Sequence, residues 1–174
     1  MLKIAILGPE STGKTMLAEQ LAAHFKAPWI PEYAREYIEN LKAPYTYDDV
    51  CSIAIKQIEQ EQEIGKHNPT AEYVFFDTDL IITKVWFSYC YGNVPDFLIK
   101  QLNTGFFDLY LLCSPDLPWV ADPVREHGQD REFFFNWYKN EIEQTGKPYV
   151  IVTGIGNQRF QNAVAGLKEL NNRQ

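Results

Sequence analysis

The residues best suited to chemistry in this sequence lie near its start, between Gly8 and Thr15. The stretch matches G-x-x-x-x-G-K-[ST], a pattern typical of a loop whose backbone N–H groups bind phosphate. Lys14 is expected to reach the β- and γ-phosphates of a nucleoside triphosphate, and the Thr15 hydroxyl to ligate Mg²⁺. The predicted nucleotide contacts are Gly8, Glu10, Ser11, Thr12, Gly13, Lys14 and Thr15. The motif therefore predicts ATP and Mg²⁺ as cofactors, with GTP left open in place of ATP.

Asp77 is a second residue with a predicted role at the phosphates. It closes the apolar run Tyr73–Phe76, which is typical of a strand buried on both faces. In P-loop proteins a carboxylate at such a strand end holds Mg²⁺, so Thr15 and Asp77 are the predicted metal ligands. A helix cap is the alternative, but Asp79 is better placed to be the cap. Thr78 stands where AAA-type motors carry Glu, and the sequence has no N-K-x-D run of the guanine-specific GTPases.

Glu32 and Arg35 follow a predicted short strand at residues 28–31. In small kinases this position faces the hydroxyl that accepts the phosphoryl group, and a carboxylate there can take its proton or orient it. A solvated helix start is the alternative, because the helix dipole favours Glu there in any case. The sequence leaves open whether Glu32 or Asp77 is the base.

Arg125 and Arg131 belong to a segment rich in proline and charge, at about residues 114–131. Small kinases cover the triphosphate with a mobile lid whose arginines meet the charge that develops during transfer. The length of the segment and its position between a strand and a helix favour such a lid. The alternative is that the two arginines form surface ion pairs with Asp122, Glu126 and Asp130.

Composition restricts the partners of the chain. The net charge is −7 and there is no basic stripe, which argues against nucleic acid. No apolar run approaches the roughly 20 residues of a membrane span, and the first strand begins too early for a signal peptide. Three widely separated cysteines favour reduced thiols and a cytoplasmic location. The sequence does not distinguish a monomer from a homo-oligomer.

Strands alternate with helices along the sequence, and this order predicts the fold. Strands are predicted at about residues 2–7, 28–31, 73–77, 108–113 and 149–152. Helices are predicted at about residues 16–25, 33–41, 46–65, 80–91, 96–103, 131–144 and 157–170. The pattern favours an α/β fold of three layers, α/β/α, around a mostly parallel five-stranded sheet in one domain, residues 1–174. The P-loop, Glu32, Asp77 and Asp79 should then lie at the carboxyl edge of the sheet, where ligands bind.

Four segments together resemble a known family, the ribosylnicotinamide kinase domain of the bifunctional NAD-biosynthesis proteins, which is of the P-loop nucleoside-kinase type. The segments are Gly8 to Thr15, Glu32 to Tyr37, Asp77 to Thr83, and Trp119 to Arg125 with Arg131. The resemblance covers nearly the whole chain. It implies a P-loop kinase-type fold and ATP- and Mg²⁺-dependent phosphorylation of the 5′-hydroxyl of a small nucleoside, with nicotinamide riboside as the expected substrate.

Under this resemblance, Glu32 is expected near the attacking hydroxyl and Asp79 near the other sugar hydroxyls, in one shared cavity. The further substrate contacts are expected to be Tyr33, Arg35 and Trp86, with Tyr33 or Trp86 against a planar ring.

The sequence departs from the family at Pro31, where family members carry a ring-stacking Trp, and Trp29 lies two residues earlier. The adenylyltransferase domain and the helix-turn-helix of the bifunctional proteins have no counterpart in the sequence. Two alternatives stay open: a kinase for a nucleoside with another base, and an ATP-binding regulatory module with slow ATPase activity.

Overall fold

The computed structural model describes residues 1–67, 70–122 and 128–171. The strands of the described chain are β1 (Leu2–Leu7), β2 (Trp29–Ile30), β3 (Tyr73–Asp77), β4 (Leu109–Cys113) and β5 (Tyr149–Val152). The helices are α1 (Lys14–Phe25), α2 (Tyr33–Glu39), α3 (Tyr47–His67), α4 (Leu80–Tyr91), α5 (Asp96–Leu102), α6 (Arg131–Thr145) and α7 (Asn157–Asn171). The alternation predicted from the sequence is confirmed, including the short second strand.

The five strands form one sheet in the order β2-β3-β1-β4-β5, and every neighbouring pair is parallel. β1 therefore lies at the centre, between β3 and β4. The register places Ile6 of β1 beside Asp77 of β3, just before the P-loop begins. The carboxyl ends of β1 and β3 consequently meet at one edge of the sheet, as the sequence predicts.

Alternation along β1 explains the three layers. Ile4 and Ile6 pack into one buried cluster with α1 and α7, whereas Ala5 and Leu7 pack into another with α4 and α6. Successive side chains of a strand point to opposite faces, so a strand that is apolar at every position needs helices on both sides. The α/β/α arrangement follows. A third cluster, formed by α3, α4 and α5, extends the second face.

No helix in the described ranges is both long enough and apolar enough to cross a lipid bilayer.

Candidate active site

The P-loop is a compact turn between β1 and α1. Gly8 has φ 149°, and a Cβ atom there would lie 2.7 Å from the carbonyl oxygen of Cys113. Only glycine fits this position without shifting β4, because the clash is with backbone. The Thr12 hydroxyl and Lys14 Nζ both donate to the Pro9 carbonyl, at 2.8 and 3.1 Å. The Lys14 ammonium is thus held at the loop, where it can meet a phosphate oxygen.

Asp77 and Thr15 meet beside the loop. The Thr15 hydroxyl donates to Asp77 Oδ2 at 2.5 Å, a contact that the β1–β3 register makes possible. The Asp77 carboxyl is buried, and its Oδ1 has no hydrogen-bond partner among the described residues. Burial raises the pKa of Asp77, while the nearby charge of Lys14 opposes the rise.

This pair fits a magnesium ion. Mg²⁺ prefers oxygen ligands and is commonly held by one or two protein groups, water and substrate phosphates. An unpartnered buried carboxylate oxygen beside a hydroxyl supplies such groups, and a bound cation would offset the cost of burying it. The described residues contain no group of three His, Cys, Asp or Glu side chains that could hold a metal alone. A metal here would therefore depend on a bound phosphate.

A cavity of about 380 Å³ opens beside the P-loop and extends between α2, α3 and α4. One part of its lining is polar and comes from the loop and from α2 and its preceding residue: Gly8, Glu10, Ser11, Thr12, Gly13, Lys14, Thr15, Glu32 and Arg35. The other part is largely apolar and includes Tyr45, Val50, Ile53, Ile82, Trp86 and Tyr138. Its volume is that of a small-molecule site. The cavity joins a phosphate-binding loop to a slot that suits a planar ring.

One predicted substrate contact, Tyr33, lies outside the cavity, and so does Trp29. Tyr33 packs against Tyr37, with ring centroids 5.9 Å apart and the ring planes tilted by 56°, and does not line the cavity. Trp29 packs into the cluster on the α1 side of the sheet, whereas Trp86 packs on the opposite side. Trp86, near Tyr45 with ring centroids 6.2 Å apart, is thus the tryptophan that the cavity presents.

The expectation that Asp79 shares a cavity with Glu32 is wrong in this structure. Asp79 is 2% exposed, and its Oδ1 accepts from the backbone N–H of Ile81, so it caps α4. It lines a separate space of about 10 Å³ together with Glu61. The physical cause is Thr78, whose φ of 87° turns the chain sharply after β3. A positive φ is unusual for a β-branched residue and is not readable from the sequence.

The first described part of the predicted lid, residues 114–122, lies against the P-loop. The Val120 N–H donates to Ser11 Oγ at 3.1 Å, and Trp119 Nε1 donates to Glu10 at 3.3 Å. Arg35 bonds both carboxylate oxygens of Asp122, at 3.1 and 3.2 Å. The segment thus connects the P-loop to α2.

The two predicted lid arginines have different outcomes. Arg131 donates to the Leu117 carbonyl at 2.7 Å and does not line the cavity. In this structure it therefore links the start of α6 to the segment at residues 114–122. Its contact with a transferred phosphoryl group stays a prediction. Arg125 lies outside the described residues.

Three buried polar residues were not singled out by the sequence. Gln57 and Thr83 line the cavity and bond to each other. Arg159 of α7 is 4% exposed and donates to Asp116 at 2.6 Å and to the Ser114 carbonyl at 2.7 Å, which ties the segment after β4 to α7. Gln57 had one available signal, because it interrupts the apolar stripe of α3 one turn after Ile53.

Comparison with known proteins agrees with this geometry. A family model described as "AAA domain" matches residues 3–159. The fold and the P-loop define a P-loop protein of the kinase-type α/β/α architecture. The chain belongs to the AAA domain family. Thr78 still stands where AAA-type motors place Glu.

The resemblance drawn from the sequence is confirmed by two curated relatives. The chain is 29% identical to the trifunctional NAD biosynthesis/regulator protein NadR of Salmonella typhimurium, and equally to that of Escherichia coli. In each case the alignment covers 96% of this chain and 42% of the relative. The chain therefore spans less than half the length of these relatives.

Solved structures show the same fold. A crystal structure of NadR protein in complex with NR has a TM-score of 0.76 and 27% identity, and covers 97% of this chain and 51% of that one. The deoxyadenosine kinase of M. mycoides, solved with dATP, has a TM-score of 0.57 and 16% identity, and covers 97% of this chain and 100% of that one. At that identity the second likeness shows the fold alone.

Proposed function

We propose that the protein transfers the γ-phosphoryl group of ATP, with Mg²⁺, to the 5′-hydroxyl of a small nucleoside. Nicotinamide riboside is the proposed acceptor and nicotinamide mononucleotide the product. The observation that carries this proposal is the single cavity that joins the P-loop to Glu32 and an aromatic slot. Two solved structures of NadR protein support it, since one is a complex with NR and the other a complex with NAD and AMP-PNP.

The chain's own residues divide the work of an in-line transfer. The P-loop N–H groups and Lys14 would bind the phosphates and meet the charge that develops on the transferred group. Thr15 and Asp77 would hold Mg²⁺, which supplies charge neutralisation on the phosphates when bound. The attacking hydroxyl oxygen forms a bond to the γ-phosphorus while the bond to the β-phosphate oxygen breaks, which releases ADP.

Glu32 is the proposed partner of the acceptor hydroxyl. It lines the cavity together with Lys14 and Thr15, and it is the residue that directly precedes α2. A carboxylate at this position can accept the hydroxyl hydrogen bond, direct the oxygen at phosphorus and receive the proton. Orienting the hydroxyl oxygen raises the rate of transfer even where the carboxylate is a weak base.

Trp86 is the proposed face for the ring of the acceptor. Residue 31 is an exposed proline, so this chain has no aromatic ring for stacking at that position. The cavity instead presents Trp86 and Tyr45. A cationic pyridinium ring would gain from such aromatic faces and from the Glu32 carboxylate nearby.

The test is a panel of nucleosides scored for ATP-dependent phosphorylation, with nicotinamide riboside among them. We expect ADP release to rise at least severalfold with the correct acceptor. Glu32→Gln should lower kcat with a modest change in KM, because the lost interaction acts mainly on the attacking oxygen.

Two outcomes separate the alternatives. Phosphorylation of a nucleoside with another base would change the proposed acceptor but leave the proposed reaction in place. Slow ADP release that no nucleoside accelerates would favour the regulatory module with slow ATPase activity.

A further inference from the structure

A buried polar pair interrupts the apolar part of the cavity wall. Gln57 lies on α3 and Thr83 on α4, each is 7% exposed, and both line the cavity. The Thr83 hydroxyl donates to Gln57 Oε1 at 2.9 Å. Around them the wall is formed by apolar and aromatic side chains such as Ile53, Ile82 and Trp86. A polar group at such a place is costly to bury unless it is hydrogen-bonded.

The bond to Thr83 fixes how the amide of Gln57 is oriented. A primary amide is planar, and its acceptor oxygen and its N–H₂ donor group project from the carbonyl carbon in different directions within that plane. Since Thr83 occupies the oxygen, the N–H₂ group points away from it. Among the described residues, the hydrogen bond of the Gln57 side chain is made by Oε1, and Nε2 donates to no protein acceptor.

We propose that Gln57, held in place by Thr83, is a specificity-determining residue that donates a hydrogen bond to an oxygen atom of the phosphoryl acceptor. This inference rests on the proposed function, and it adds which property of the acceptor is recognised. A largely apolar slot with an oriented amide donor favours a ring or sugar that places an acceptor oxygen opposite that donor. A molecule without that oxygen would leave the buried amide unpaired.

The position of Gln57 allows two sources for the oxygen. Gln57 lies on the same wall as Ile53, one helical turn away, which places it beside the slot for the ring. It also lines the small cavity behind Asp77 and Thr78, which places it near the end of β3 and the sugar. The shared chemistry is a neutral oxygen acceptor, either the carbonyl of a ring carboxamide or a sugar hydroxyl.

The test measures kcat/KM for the wild type and Gln57→Met with four acceptors. These are nicotinamide riboside, its analogue with hydrogen in place of the carboxamide, and its 2′-deoxy and 3′-deoxy analogues. Methionine keeps the length of the side chain and removes the donor. Gln62→Met, an exposed change on the same helix, is the matched control. Gln57→Leu replaces the methionine variant should that variant unfold.

We expect Gln57→Met to lower kcat/KM for nicotinamide riboside about tenfold or more, since a buried polar partner of the substrate is lost. For the one analogue that lacks the recognised oxygen, wild type and variant should differ by less than about twofold. Thr83→Val should lower kcat/KM for nicotinamide riboside by a smaller factor, because the amide keeps its donors and loses only its orientation.

An equal loss on all four acceptors would make Gln57 a structural link between α3 and α4 and overturn the inference, while the proposed function stands. If the wild type phosphorylates none of the four, the proposed function for nicotinamide riboside fails, and this inference fails with it.

Discussion

Lys14 combines a large expected role in catalysis with a small role in the fold. Its described hydrogen bond is to the Pro9 carbonyl of its own loop. We predict that Lys14→Ala lowers phosphoryl transfer at least about 100-fold, since it removes charge stabilisation of the transferred group. Thermal unfolding should change little. The measurements are ADP release and a melting curve, with the exposed Lys100→Ala as control. Wild-type turnover in Lys14→Ala would contradict the assignment of the loop.

The buried acids behind the cavity predict a pH dependence of stability. Burial raises the pKa of Asp79 to about 8, and the neighbouring Glu61 adds to the rise. Burial also raises the pKa of Glu61 to about 7, although the Gln101 hydrogen bond opposes it. In the unfolded chain such groups ionise at about pH 4. The folded state therefore binds more protons than the unfolded chain between about pH 4 and the raised pKa values, so stability falls as the pH rises across this range and levels off above about pH 8.

We expect urea unfolding to show this decline between about pH 5 and about pH 8.5, with a slope of up to about 1.4 kcal/mol per pH unit for each such group. Glu61→Gln should flatten the curve, because the glutamine can keep a bond to Gln101 without a charge to bury. If the stability of Glu61→Gln falls with pH as steeply as that of the wild type, the pH dependence arises from other groups.

At the scale of elements, the segment at residues 114–122 connects the two sides of the site. It bonds Ser11 and Glu10 of the P-loop, and Asp122 bonds Arg35 of α2. Because a bound nucleotide would fix the P-loop, the segment should become more protected from exchange with solvent. We predict slower amide exchange across residues 114–122 with AMP-PNP and Mg²⁺. Amide exchange in peptides from α5 should not change. If exchange across residues 114–122 does not change either, the segment does not act as a lid.

The elements could be predicted from the sequence because each depends on local patterns. Apolar runs such as Tyr73–Phe76 specify strands buried on both faces, and Gly92, with φ 63°, ends α4 directly after the predicted range 80–91. The P-loop and the carboxylate beside it could be predicted for the same reason, since the motif and the strand end fix the positions of Lys14 and Asp77.

Other parts of the site depend on geometry that no local pattern encodes. The orientation of the Asp79 side chain depends on the positive φ of Thr78. Which tryptophan lies beside the cavity depends on the side of the sheet on which Trp29 and Trp86 pack. The Gln57 contact joins two helices that are 26 residues apart along the chain. Such pairings arise from packing, which a single sequence does not reveal.

At the scale of the whole molecule, ligand binding should stabilise the fold as one unit. The cavity is lined by the P-loop, α2, α3, α4 and α6, so a ligand that fills it contacts much of the domain. We predict that AMP-PNP with Mg²⁺ at about 100 times its Kd adds about 2.7 kcal/mol. For a domain of this size that raises the melting temperature by about 5–10 °C.

Lys14→Ala serves as the comparison and should show a smaller shift. No shift for the wild type at saturating AMP-PNP would contradict nucleotide binding at this loop.

The central place of β1 also has a consequence for how the protein is made. Of the strands in this sheet, β1 is synthesised first, and it pairs with β3, where Leu2 meets Tyr73, and with β4, where Leu7 meets Leu112. At about 5–20 residues per second, synthesis leaves the apolar β1 without its sheet neighbours for several seconds. The P-loop is completed later still, since Gly8 packs on Cys113 and Gly13 approaches Leu117. The P-loop should thus reach its final packing only after synthesis has passed Leu117, and the nascent chain needs protection from aggregation until then.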